Sequence, residues 1–228
     1  MSGCSDDPPT KQQPAKDYAI YCWNTADGNL FYRYYPNADK LDSFYLPYYP
    51  WRGMVASADG SRLYINLSDH VEIIETQGMT SIGQINHRPW GVVVSPDNQW
   101  LVVINDTLWV YRTSDYSIVY TDTSHIVAST FSKDSRYLWG TGGDTIRYVY
   151  HLDMTTWEKQ QRDMPGGAGI VIPSPDESVW YLYTLVMPFV YKFEAYDATS
   201  DSVLFRDWQV PSYGGLAITP DGRYVLYT

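Results

Sequence analysis

Cysteine is almost absent from this chain, with only Cys4 and Cys22 among 228 residues. Two thiols do not make a disulfide framework, and Cys22, set in a strand pattern, is expected to be buried as a small hydrophobe. Basic residues are also scarce. Sixteen Lys and Arg against 26 Asp and Glu give a formal charge of −10, which argues against nucleic acid as the main partner. No apolar run approaches the ~18 residues that a spanning helix needs. No segment sustains an apolar stripe at helical spacing, so the chain is expected to be all-β. A phosphate loop, a Cys-rich metal knuckle and a Gly-x-Ser-x-Gly nucleophile elbow are missing, and no cofactor is expected. The four histidines, His70, His87, His125 and His151, lack paired ligand spacing, so no metal site is expected.

Aromatic residues are abundant instead, at 22 Tyr, 9 Trp and 6 Phe. Many fall in strand patterns such as Phe31-Tyr32-Arg33-Tyr34-Tyr35 and Tyr148-Val149-Tyr150, where they can pack between sheets with the Tyr hydroxyl reaching water. A short phrase also recurs five times: Ser57-Ala58-Asp59-Gly60, Ser95-Pro96-Asp97-Asn98, Ser132-Lys133-Asp134-Ser135, Ser174-Pro175-Asp176-Glu177 and Thr219-Pro220-Asp221-Gly222. An apolar run follows each copy, and the Asp residues are 38, 37, 42 and 45 positions apart. In such a phrase Asp accepts backbone N–H groups just ahead and Pro presets the bend. A period of about 40–45 residues filled with strands marks a β-propeller of four-stranded blades. Third strands are expected to open near Asp69, Asp106 and Asp144. Outer turns are expected at Pro36–Asp39, Thr76–Gly78, Asp153–Thr156 and Asp197–Thr199.

The first unit begins at its second strand, Tyr18 to Trp23, and the sequence stops inside the second strand of a sixth. About five and a half repeats are therefore visible, as part of an expected seven-bladed ring incomplete at the C-terminus. A smaller ring with Leu216 to Ile218 as its missing strand is the alternative. The division expected is a tether over 1–16 and the propeller over 17–228. The opening Met1-Ser2-Gly3-Cys4-Ser5-Asp6-Asp7 resembles the tail of a bacterial lipoprotein signal, in which a small residue and then Cys mark the cleavage point and the Cys carries the lipid. A complete signal needs a charged segment and an apolar run before Cys4, expected upstream or already removed. Pro8 to Pro14 has the composition of a flexible tether. The resemblance implies a bacterial protein outside the cytoplasm, periplasmic or at the cell surface, anchored to a membrane through Cys4.

Pro89-Trp90-Gly91-Val92-Val93-Val94-Ser95-Pro96-Asp97, followed by Leu101-Val102-Val103-Ile104-Asn105, resembles the repeat of the bacterial YVTN-type propeller family. Leu63-Tyr64-Ile65-Asn66 is a second copy, and Tyr196-Asp197-Ala198-Thr199 matches that family's outer turn. The resemblance runs over about residues 18–228 and is specific for fold. It implies a range of functions, since the wider group includes surface and periplasmic binding proteins, lactonase-like enzymes and subunits of amine dehydrogenases. Asn66-Leu67-Ser68 and Asn105-Asp106-Thr107 match a glycosylation pattern but share one repeat position, so they are read as repeat residues.

By analogy with other propellers, ligands are expected at the channel mouth, on loops entering the innermost strands. Aligned by repeat, Trp51, Arg52, His87, Arg88, Trp90, His125 and Tyr213 would ring that opening. Trp and Arg dominate binding hot spots, and an Arg pair suits an acidic group. Packing between blades is the competing role for each. Asp69, Asp106 and Asp144 are read as turn caps before a cation site. The expected function is a tethered binding or scaffold module for a protein, peptide or glycan. The alternative is a lactonase-like hydrolase, with His87 or His125 as base and Arg88 polarising a carbonyl, or a dehydrogenase-subunit-like propeller.

Overall fold

The computed structural model describes residues 19–23, 29–46, 53–142, 148–163, 169–187, 190–200, 202–210, 216–219 and 222–227. These form strands throughout, and no helix occurs among them. The chain divides into two compact units, 1–49 and 50–228. The first holds one antiparallel sheet of β1 (Ile20–Trp23), β2 (Leu30–Tyr35) and β3 (Lys40–Tyr45), in chain order. Cys22 is exposed on β1, not buried as its strand position suggested. Strand alternation places it on the face opposite Tyr21.

The second unit begins with a sheet of β4 (Met54–Ala56), β5 (Arg62–Asn66), β6 (Val71–Glu75) and β7 (Thr80–Ile85). The next contains β8 (Gly91–Val94), β9 (Trp100–Ile104), β10 (Leu108–Arg112) and β11 (Ile118–Asp122). A third comprises β12 (Ile126–Phe131), β13 (Tyr137–Gly142), β14 (Tyr148–Asp153) and β15 (Lys159–Asp163). β16 (Gly169–Pro173), β17 (Val179–Met187), β18 (Val190–Asp197) and β19 (Val203–Val210) make the fourth. A two-stranded sheet of β20 (Leu216–Ile218) and β21 (Val225–Tyr227) follows. In every sheet, strands pair antiparallel with their chain neighbours. The first strands of successive sheets lie side by side, β4 by β8, β8 by β12, β12 by β16 and β16 by β20. That is the blade order of a β-propeller.

Burial follows the blade plan. The second strands are almost wholly buried, as in Leu101, Val102, Val103 and Ile104, while the outermost strand β7 is mostly exposed. Each interior strand is sealed on both faces because blades stack on both sides. Leu101 packs toward the preceding blade, and Val102 toward the following one.

The recurrent phrase makes the turn from first to second strand in each blade. In four copies the Ser hydroxyl meets the Asp carboxylate: Ser57–Asp59 at 2.6 Å, Ser95–Asp97 at 2.5 Å, Ser132–Asp134 at 2.7 Å and Ser174–Asp176 at 2.6 Å. The same Oδ1 accepts the backbone N–H two residues on, for example Gln99 N at 3.0 Å. The fourth residue of the phrase is left-handed in all five copies, with φ of 72° at Gly60, 60° at Asn98, 65° at Ser135, 59° at Glu177 and 71° at Gly222. The sequence loses glycine at three of these places without losing the conformation. A non-glycine residue there costs about 1–2 kcal/mol.

These turns give the molecule an acid-sensitive seam. Hydrogen bonds from Ser174 and Ser178 hold the Asp176 carboxyl down at about 2, against an ordinary 3.8. Asp59 and Asp134 are lowered in the same way, chiefly by the hydroxyls of Ser57 and Ser132. Carboxyls depressed in the folded state stabilise it fully above their unfolded value, and that contribution is lost as pH falls through the folded one. These turns are therefore expected to add no slope to Tm between pH 7 and 5, where the buried neutral His87 and His151 already lower it as the pH falls, and to make it drop steadily from about pH 4 toward 2. A melting series at fixed ionic strength checks this, and Asp176→Asn should flatten the slope. An unchanged Tm at pH 3 would contradict it.

Candidate functional site

In an antiparallel blade, the connection into the first strand and the turn between second and third strands open at one end. At this entry end the β7–β8 connection carries His87, Arg88 and Trp90, the β9–β10 turn carries Asn105 and Asp106, and the β11–β12 connection carries Ser124 and His125. They form a cluster. The Asn105 amide donates to the Arg88 carbonyl at 3.0 Å, tying the first two loops together. Trp90 meets His125 edge-on with centroids 6.2 Å apart, tying in the third. His125 Nδ1 lies 3.6 Å from the Asp106 carboxylate.

His87 is seated more deeply. Its ring stacks on Trp109 of β10 at 4.1 Å with 10° between planes, and Nδ1 hydrogen-bonds the Tyr111 hydroxyl. Burial lowers the His87 pKa, so the imidazole is neutral near pH 7. Burial also pushes Tyr111 up to about 12. The phenol therefore stays protonated, and it shares a hydrogen bond with Nδ1 of the neutral ring. Arg88 is exposed and, among the described residues, its guanidinium forms no ion pair. The cluster thus offers a cation, an indole, and two imidazole rings on a net-acidic chain.

His125 is held in place from behind. It sits at a left-handed φ of 53°, a conformation that side-chain-bearing residues adopt only when surroundings impose it. Ser124 N donates to Asp122 at 2.9 Å, and the Tyr148 hydroxyl donates to the Ser124 carbonyl. Lys159 Nζ donates to both Asp122 and the Ser124 hydroxyl at 2.6 Å. Burial pushes the Asp122 carboxyl up, but the bonds from Lys159 and Ser124 outweigh it and leave the group below its ordinary value.

Trp51, Arg52 and Tyr213 lie outside the described residues, as do Cys4 and Asp144. The structure brings Trp90 and His125 into contact and ties the Arg88 backbone to Asn105, while His87 is seated on Trp109 and Tyr111. Sequence reasoning missed Trp109, Tyr111, Lys159 and Asp122, which support the cluster from positions that read as ordinary strand residues. Turn capping at Asp106 is corrected: Asn105 Oδ1 accepts Thr107 N at 2.8 Å, which leaves the Asp106 carboxylate to His125. Asp69 is turned to His70 Nδ1 at 2.7 Å, and His70 Nε2 contacts the buried Glu72 at 3.0 Å. Among the described residues, no group of three or more His, Cys, Asp or Glu is arranged to hold a metal ion.

The sequence matches no protein-family model, and no curated protein matches it. Solved structures do. Hydrazine synthase of Kuenenia stuttgartiensis superimposes with a TM-score of 0.69 at 17% identity, over 87% of this chain and 67% of that one. The Swd1 (Cps50) β-propeller domain of Myceliophteria thermophila gives 0.62 at 10% identity, over 76% of this chain and 60% of that one. At such identities the likeness concerns fold alone. Blade order, repeated turns and these neighbours agree that the chain is built on the β-propeller fold.

Proposed function

We propose that this protein is a binding module that grips an acidic ligand at the entry end of its blades. The observation that carries the reading is the entry-end cluster, in which the bond from Asn105 to the Arg88 carbonyl joins two loops and the Trp90–His125 ring contact joins the third, with the Arg88 side chain exposed. Trp and Arg on a rigid rim are the residue types that anchor interfaces, and guanidinium suits a carboxylate or sulfate. Arg52, Trp51 and Tyr213, outside the described residues, are proposed for the same rim on repeat alignment alone. The module is further proposed to work outside the cytoplasm of a bacterium, tethered through a lipid on Cys4 and the Pro-rich stretch behind it. Mass spectrometry of the N-terminal peptide from the native host tests that tether. An unmodified Cys4 would remove it.

A hydrolase reading gains no specific observation. His87 Nδ1 is occupied by Tyr111 and its ring face by Trp109. No hydrogen bond joins it to Arg88 among the described residues. The test of the binding reading is a screen of acidic peptides and acidic glycans against the full chain and Arg52→Ala/Arg88→Ala. The double variant is expected to weaken the best binder at least tenfold, about 1.4 kcal/mol, with Tm unchanged. Equal affinity would dismiss the rim.

A further inference from the structure

Among the described residues, the non-glycine positions with a left-handed backbone follow the repeat with one exception. Asn98, Ser135 and Glu177 close the recurrent phrase. Asp39, Met79, Tyr116 and Trp157 belong to the outer turns, where Trp157 reaches into a seam against Tyr120 and Trp100. His125, with φ of 53°, is the exception. It lies on a connection between blades, where the repeat asks for no such turn. A residue with a side chain keeps this conformation only where its surroundings impose it, and such residues cluster at functional sites. The strand that His125 feeds is irregular too, with a register shift between Ile126 and Ala128.

What imposes the turn is one end of an ion pair between blades. Asp122 Oδ1 accepts Ser124 N and the Ser124 hydroxyl, closing a tight turn immediately before His125. Asp122 Oδ2 accepts from Lys159 Nζ at 2.6 Å, and the same ammonium donates to Ser124 Oγ. The Lys159 and Asp122 side chains are only 22% and 10% exposed, so solvent screens the pair weakly. On the other side, Gly142 stands opposite Ile126, and a Cβ there would lie 2.8 Å from the His125 carbonyl oxygen. Glycine at 142 admits the turn, and Lys159 with Asp122 locks it. The lock is no part of the repeat. Asp122 stands opposite Leu108 as Ile85 stands opposite Val71, and Ile118 takes the place of Lys159 in its own blade.

We propose that Lys159 is a positioning residue for the entry end. It acts through Asp122 and Ser124 to hold the His125 ring against Trp90 and beside Asp106. This rests on the entry end being the binding site, as proposed above. With the ammonium removed, the Asp122 carboxylate loses its cation and the Ser124 turn its anchor. His125 then relaxes to an ordinary negative φ, which re-aims its side chain and takes the ring off Trp90. The energy of a left-handed residue above its relaxed form corresponds to a population ratio of about 5- to 30-fold. Apparent affinity falls with the fraction of molecules left in the competent form.

The test uses the full chain and two readouts. The first needs no ligand, and follows nuclear Overhauser contacts between the His125 ring protons and the Trp90 indole. The second is the Kd, by calorimetry, of hexaglutamate and of a heparin hexasaccharide, one acidic peptide and one acidic glycan. Lys159→Met is expected to lose the ring contacts and to weaken the tighter probe about 5- to 30-fold. Lys159→Arg, which keeps the charge and a donor, should preserve most of both. Lys159→Met/Asp122→Leu removes both charges and should regain thermal stability. It should nonetheless lack the ring contacts and bind as weakly as Lys159→Met. That double variant separates positioning from stability, and it serves alone if Lys159→Met does not fold. Ring contacts that persist in either folded variant, or affinity that returns along with stability, would overturn the proposal. If wild-type protein binds neither probe at millimolar concentration, the binding reading fails and this role of Lys159 fails with it.

Discussion

Gly140→Ala is expected to destabilise the protein by about 3 kcal/mol or more, lowering Tm by roughly 6–12 °C for a chain of this size. The direction is what makes the experiment informative, because Ala in place of a strand glycine ordinarily gains roughly 0.5–1 kcal/mol. Gly140 stands directly opposite Tyr150 on the neighbouring strand. A Cβ there would lie 2.5 Å from Cε1 of Tyr150 and closer still to Cζ and the hydroxyl oxygen. The Tyr150 ring cannot swing aside, because it is 2% exposed in the core shared with Val102, Ile104, Leu108 and Leu138. Gly142 repeats the device against Tyr148. Gly83 on β7 provides the control: its nearest neighbour, Ile73 Cδ1, is 3.9 Å from the added carbon, so Gly83→Ala should be neutral or stabilising. Chemical denaturation of the two variants decides the matter. Equal, small effects would mean that Tyr150 is not packed over its glycine.

The second large effect is expected at a buried charge cluster. Glu194 accepts from Lys192 Nζ and Arg206 Nε, both at 2.6 Å, with the Glu194 and Lys192 side chains only 2% and 5% exposed. The cluster lies on the same face of β18 as Tyr196, whose pKa rises to about 12 through burial and the nearby Glu194 carboxylate. Glu194→Gln removes the carboxylate that Lys192 and Arg206 share, at an expected cost of about 3–5 kcal/mol. Removing both charges as Lys192→Met/Glu194→Leu should recover most of that loss, because paired ions in a dry setting gain little over apolar residues of similar volume. Urea unfolding of the single and double variants measures the difference. A double variant no more stable than the single would show that the cluster is more hydrated than its burial indicates.

How far the sequence carried this picture depends on whether a feature is local. The Ser-x-Asp turns were legible because each is closed by atoms within five residues, as when Ser95 Oγ accepts Trp100 N at 2.9 Å. Blade order followed from their spacing. The outer turns were legible for the same reason, with Asp153 and Asp197 each accepting two nearby backbone N–H groups. What one blade does to the next was not legible. Nothing local to Trp157 says that it fills a seam against Tyr120 and Trp100, and nothing local to Lys159 says that it clamps Asp122 across 37 positions. Nothing local to Lys192 and Glu194 marks them as buried, and the stacking of blades is what buries them. At the entry end the sequence supplied His87, Arg88, Trp90 and His125 from loop position alone. Their supports lay in β10, β11 and β15, on strands whose pattern resembled every other strand.

The most direct measurement follows the side chains of the entry-end cluster while the best acidic binder from the screen is titrated in. The Trp90 and Trp109 indole N–H groups and the His87 and His125 rings are the reporters, with Trp157, set in a seam on the opposite turn of its blade, as internal reference. The account predicts saturable shifts at Trp90 and His125 with one common Kd, smaller shifts at His87 and Trp109, and none at Trp157. Binding that leaves Trp90 and His125 unmoved would place the ligand elsewhere and contradict the entry end as the site of function.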